Sequence, residues 1–107
     1  MKFENEGGLN MKYWFHDIGV IDQGHILEVT LDRPAHVRIM DDTNYENFKN
    51  RQTYTSVVSK VTDSPYKVKL PRSAHWFVVI DLDGKPGAVA SSVKVYKTKP
   101  ANTKPAN

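Results

Sequence analysis

Four histidines, His16, His25, His36 and His75, are the first residues in this chain that could ligate a metal or move a proton. A helical metal site would hold two of them three or four residues apart on one face, as in HExxH, and that spacing does not occur. A strand-built site would need two histidines and a carboxylate, Asp17 or Asp81, gathered by the fold. Nothing local requires that gathering. His16 and His75 each adjoin an aromatic residue at an expected strand end, the ordinary setting of a half-buried histidine bonded to backbone. Nucleophilic chemistry has less support. Ser56, Ser59, Ser64, Ser73, Ser91 and Ser92 lie in no GxSxG elbow. The glycines of Asp83-Gly84-Lys85-Pro86-Gly87 lack the GxxxxGK[ST] spacing, and no helix follows them to hold a phosphate. Without a cysteine, thiolate zinc sites and disulfides are ruled out. Asp41-Asp42 and Asp81/Asp83 could bind calcium, but adjacent carboxylates at a strand-to-loop junction more often cap a turn or a helix. No catalytic residue, metal or cofactor is therefore assigned, and the residues favour binding over catalysis.

The segment from Arg38 to Arg51 is the most distinctive. It joins guanidinium, carboxylate, amide and aromatic groups in the one stretch that lacks strand periodicity. Irregular segments held by a rigid sheet are where binding residues concentrate. Arg38 and Arg51 would supply charge, Asp42, Asn44 and Asn47 hydrogen bonds, and Tyr45 or Trp76 a stacking surface, with His75 alongside. That set suits a phosphate, a planar base or a protein surface. The competing expectation is that Tyr45 and Phe48 simply close one end of the core while the polar residues are solvated.

Period-two alternation marks the elements that would have to position these groups. In 26–31, Leu27, Val29 and Leu31 face one way and Glu28 and Thr30 the other. In 36–41, Val37 and Ile39 point inward, with His36 and Arg38 outward. Residues 53–62 are rich in β-branched types, and Tyr66-Lys67-Val68-Lys69-Leu70 alternates up to Pro71. From 75 to 82, Trp76, Val78, Ile80 and Leu82 share a face, while Phe77 and Val79 occupy the other. A strand apolar on both sides belongs in the middle of a sheet. Residues 88–96 complete the set, and turn chemistry such as Asp32-Arg33-Pro34 and Asp63-Ser64-Pro65 separates the runs. Asp42-Thr43-Asn44 can cap a short helix that sets Tyr45 and Phe48 on one side. The expected fold is mostly β: a small sandwich or jelly-roll-like barrel of six to eight short strands, with one short helix near 43–50.

At 107 residues the chain fits one domain. Residues 1–10 read as a flexible polar extension, 11–97 as a single β domain, and 98–107, with its repeated Thr-Lys-Pro-Ala-Asn, as a disordered tail. The formal charge is +3, and Lys94, Lys97, Lys99 and Lys104 supply more than all of it, leaving the rest at −1 (3 − 4). A nucleic-acid-binding domain usually carries its basic stripe on the folded body, so nucleic acid is not the expected partner. A small molecule or a protein is. No apolar run approaches the roughly 20 residues of a bilayer span, and no leader-like apolar segment opens the chain. The cytoplasm is the simplest location. Lysines on the 66–70 strand would discourage edge-to-edge assembly, which lowers a purely structural role.

Several strings, in order, resemble the bacterial family DUF1883, a domain of unknown function. They are His36-Val37-Arg38-Ile39-Met40-Asp41 with Asn44-Tyr45 and Arg51, then Ser64-Pro65 and Leu70-Pro71, then 74–82 with Gly84 and Gly87. The likeness spans about 12–96. It differs at Ala74, where the family usually has glycine before the His-Trp pair, and at Asn50-Arg51, where a Gly-Arg pair is usual. Asn50 is expected to take up a left-handed turn in that glycine's place. The resemblance implies a compact β domain without an established activity. Some relatives are joined to TIR domains of bacterial or phage defence, which implies nucleotide-derived ligands as first candidates. A non-enzymatic binding module is the leading expectation; a small hydrolase or phosphodiesterase using two histidines with Asp81 or Asp41, and a structural or assembly protein, are the alternatives.

Overall fold

The most apolar segment of the sequence organises the molecule. In the computed structural model, which describes residues 2–6, 11–62 and 64–97, it forms the centre of a five-stranded sheet. Nine elements follow in chain order: β1 (Lys2–Glu6), β2 (Met11–Ile21), β3 (Ile26–Leu31), β4 (Ala35–Asp41), α1 (Asp42–Lys49), β5 (Val58–Thr62), β6 (Tyr66–Lys69), β7 (Ala74–Asp81) and β8 (Ser91–Tyr96). The larger sheet has the order β1-β2-β7-β4-β5, the smaller β6-β3-β8, and every pairing is antiparallel. The two sheets stack as an open sandwich and do not close into a barrel.

Because β7 is apolar on both sides, it is covered on both sides. Trp76, Val78 and Ile80 pack toward the small sheet with Val37, Ile39, Leu27, Val29 and Leu70. Phe77 and Val79 join Tyr13, Met40, Tyr45 and Phe48 in a second core beneath the helix. Tyr45 stacks on Phe77 at 4.1 Å, and Phe48 meets Tyr13 and Tyr54 edge-on at 5.0 and 5.2 Å. Three layers result: small sheet, large sheet, helix. This explains His36 and Arg38. They do face away from Val37 and Ile39, yet they lie on the helix side of the large sheet and are only partly exposed.

Helix α1 begins one residue earlier than the sequence suggests, because the cap is Asp41. Its carboxylate accepts from the Asn44 backbone amide at 3.0 Å, and Asp42 opens the first turn. At the other end Asn50 is not left-handed (φ −93°); the left-handed residue is Arg51, at φ +60°. Its amide donates to the Phe48 carbonyl and that of Gln52 to Asn47, closing the helix one position later than a glycine at 50 would. Residues 2–6, read from sequence as a loose extension, pair with β2 from Lys2↔Phe15 to Glu6↔Met11. An edge strand needs only the free backbone groups of its neighbour, and apolar patterning does not report those. Residues 7–10 and the 98–107 tail lie outside the described residues.

Candidate functional site

The eight residues singled out from sequence divide between separate places. Arg38 is committed to an ion pair with Asp81. Asn44 uses its amide nitrogen on Asp41 (2.9 Å) and its oxygen on the Thr55 backbone amide (2.9 Å), fastening the helix start to the following loop. Tyr45 is buried beneath the helix and Trp76 between the sheets, so neither ring offers a stacking face to solvent. The Trp76 indole instead donates to the Arg72 carbonyl, and the Arg72 guanidinium lies 5.1 Å above its ring while bonding Asp41 at 2.8 Å. Asp42 and Asn47 border a shallow open depression with Thr43 and Glu46 on the helix surface. Arg51 closes the helix. His75 is part of a dyad, with Nε2 2.6 Å from Asp17 Oδ1 and its ring parallel to Phe77. The dyad sits at a β-bulge where Gly19, at φ +86°, donates its amide to the same carboxylate.

The four histidines do not converge. His16 faces the small sheet and bonds Ser91 at 2.9 Å, where burial holds its pKa below the ordinary value. His25 lies in the turn before β3, His75 near the start of β7, and His36 beside the end of β7. Asp41 is held below the ordinary carboxylate value: burial raises it, but bonds from Arg72 and Asn44 outweigh burial.

A different set of side chains does converge, at the end of β7. Asp81 is the one acidic or basic side chain fully buried among the described residues. One of its oxygens takes the Arg38 guanidinium and the other accepts the Asp83 backbone amide at 2.8 Å. That second bond fixes the turn that follows. Asp83 and Gly84 both have positive φ (+58° and +79°), and Lys85 donates back to the Leu82 carbonyl at 3.1 Å, so Asp-Gly occupies the centre of a mirror-image type I turn. The turn divides two adjoining clefts. One, of about 300 Å³, is lined by Arg33, His36, Asp83 and Lys85 with Pro34 and Leu82. The other, of about 200 Å³, is lined by Lys12, Trp14 and Pro86 and shares Leu82 and Lys85. Arg33 is positioned by its bond to the Ala88 carbonyl at 3.2 Å.

The family model of DUF1883, a domain of unknown function, matches residues 11–99. The chain belongs to the DUF1883 family. No curated protein and no solved structure matches it. The matched span takes in both clefts and starts at the first residue of β2, leaving β1 outside it. Within the DUF1883 domain the paired clefts set three cations, Lys12, Arg33 and Lys85, against one lining carboxylate, Asp83. His36, Asp81 and Asp83 also bring ligand-type atoms within 4.8 Å of one another. There a metal ion would compete with Arg38, which already neutralises Asp81. The lining of the two clefts carries more cationic than anionic side chains. Sequence reading passed over Arg33 and Lys85 because each sits inside a segment that reads as a turn. The available signal was a cation placed in each of two turns flanking the strand pair that carries His36 and Asp81.

Proposed function

We propose that this DUF1883 domain is a non-enzymatic binding module for a small phosphate-bearing molecule of the nucleotide type, held in the paired clefts around the Leu82–Lys85 turn. The carrying observation is the arrival of Lys12, Arg33 and Lys85 from three separate segments at two clefts that share a wall. Phosphates would lie against Arg33 and Lys85, and a ring against Trp14 and Pro86. A combined volume of about 500 Å³ (300 and 200) is within the range of small-molecule sites. The TIR association implied by the family makes NAD, ADP-ribose derivatives and cyclic dinucleotides the first probes, and the cytoplasm the compartment in which they would be met.

Calorimetric titration with each probe at low salt tests the proposal. Binding is expected with at least one of them, weakened about tenfold or more by Arg33→Ala or Lys85→Ala, since each removes a charged hydrogen bond of about 1.5–3 kcal/mol. Asn47→Ala, on the helix surface, should leave it unchanged. Absence of heat with every probe, or sensitivity to Asn47→Ala without sensitivity to Arg33→Ala, would exclude these clefts as the site.

A further inference from the structure

The small sheet turns one face to the core and the other to solvent, and the solvent face has an uneven composition. Register places Glu28 between Lys67 of β6 and Lys94 of β8, and Ile26 between Lys69 and Tyr96. Three lysines and a tyrosine therefore share this face with a single carboxylate. Lys94, grouped with the C-terminal lysines in the charge count, lies within β8, across β3 from the lysines of β6. Tyr96 is one of two large hydrophobic residues exposed among the described ones, at 40%. Its hydroxyl donates to Glu28 at 2.7 Å, which fixes the ring and raises the phenol pKa. The ammonium groups of Lys67 and Lys94 lie 5.8 and 5.9 Å from the ring centre. Beyond Asp83 the sequence has no acidic residue and carries Lys97, Lys99 and Lys104 past this strand.

We infer that the outer face of β6-β3-β8 docks single-stranded nucleic acid. Extended single strands present alternating phosphates and bare base faces, and are bound by cationic surfaces carrying aromatic rings on which bases stack. Tyr96 is such a ring, already oriented. Lys67 and Lys69, two residues apart on a strand, stand roughly 6.6 Å from each other, close to the step between phosphates of an extended strand. A duplex hides its base faces and could use only the charges. This face belongs to the opposite sheet from the β7 turn, and the inference is independent of the small-molecule clefts.

Fluorescence anisotropy of the full chain with a labelled oligothymidylate tests it. Binding is expected at 50 mM salt. With three phosphates neutralised, affinity should fall about 20-fold between 50 and 200 mM. Tyr96→Ala should weaken binding by about fivefold or more, whereas Tyr96→Phe, which keeps the ring and loses only the bond to Glu28, should bind within about twofold of the unaltered chain. Lys94→Gln should lower the salt slope by close to one phosphate's worth. Arg33→Ala should have no effect. The inference is overturned by no binding at 50 mM salt, by Tyr96→Ala binding as tightly as the unaltered chain, by a duplex of equal length binding equally well, or by Arg33→Ala abolishing the signal.

Discussion

Arg38→Met asks how much the buried ion pair contributes. The substitution withdraws the guanidinium from Asp81 and keeps an unbranched side chain in the space beside Phe48, whose ring centre lies 5.8 Å from the Arg38 guanidinium carbon. Asp81 has a side chain only 1% exposed, so water cannot replace the lost partner. Its carboxylate would keep the Asp83 amide and the edge of His36, whose Nδ1 is 3.8 Å away. Removing one partner of a buried pair costs about 3–5 kcal/mol. Domains of this size are stable by only about 5–15 kcal/mol, so the loss is a large share of the total. The melting temperature should fall by roughly 10–20 °C. Asp81→Leu alone frees Arg38 to turn toward solvent but strips the acceptor from the Asp83 amide, a cost of about 1–3 kcal/mol. The double variant leaves two apolar groups facing each other and should be more stable than the sum of the single losses by about 2 kcal/mol. Urea unfolding of all four proteins, followed by the fluorescence of Trp14 and the buried Trp76, gives the coupling. A coupling below about 0.5 kcal/mol, or an Arg38→Met loss under about 1 kcal/mol, would refute the assignment of Asp81 as a charge that depends on Arg38.

Asp41→Ala should cost about 1–2 kcal/mol at neutral pH, because it deletes the helix cap and the Arg72 partner together. The folded pKa of Asp41 lies below its ordinary 3.8, so its contribution is complete above that value and is lost as pH falls through the folded one; acid-unfolding curves of Asp41→Ala should accordingly be flatter there. His16 has a folded pKa below its ordinary 6.5, so the unfolded chain takes up its proton first and stability should decline as pH drops below that value. His16→Gln, compared by melting temperature at pH 7 and pH 5, should reduce the decline. Phe77→Ala removes the ring stacked on both Tyr45 and His75, and a loss of about 3–5 kcal/mol in urea is expected.

Much of the strand content is legible in the sequence because alternation reports which side chains meet a core. Leu27, Val29 and Leu31 predict β3 to the residue, and the two-sided apolar run of β7 predicts its central place. Periodicity carries no information on which strands are neighbours. The pairing of His36 with Asp81 across β4 and β7, from which the buried charge cluster follows, could not be seen. Alternation also equates facing away from one core with facing water, and a second core under α1 breaks that equation for Arg38 and Met40 of β4. The polar–aromatic mix of 38–51 is real in sequence, but the fold spends most of it internally: Asn44 and Asp41 on the cap, Tyr45 and Phe48 on packing, Arg38 on Asp81. Arg33 and Lys85, far apart in the chain, meet only because the turns before β4 and after β7 emerge at the same end of adjacent strands.

The strand order of the large sheet has a kinetic consequence. β2 and β4 flank β7 and have no pairing with each other, so residues 11–21 and 35–41 remain unjoined until residues 74–81 arrive between them. The small sheet waits longer, since β3 pairs with β8 from Ile26↔Tyr96 to Leu31↔Ser91. The β2–β7 and β3–β8 pairings join segments separated by about half of the chain or more, and such non-local closure places the domain among slow, millisecond-to-second folders. On a ribosome neither sheet can assemble until most of the polypeptide has emerged. The edges of β2 and β4 that β7 will join therefore stay open until residues 74–81 emerge, and chaperones that hold open apolar strand edges would meet this domain before any ligand does.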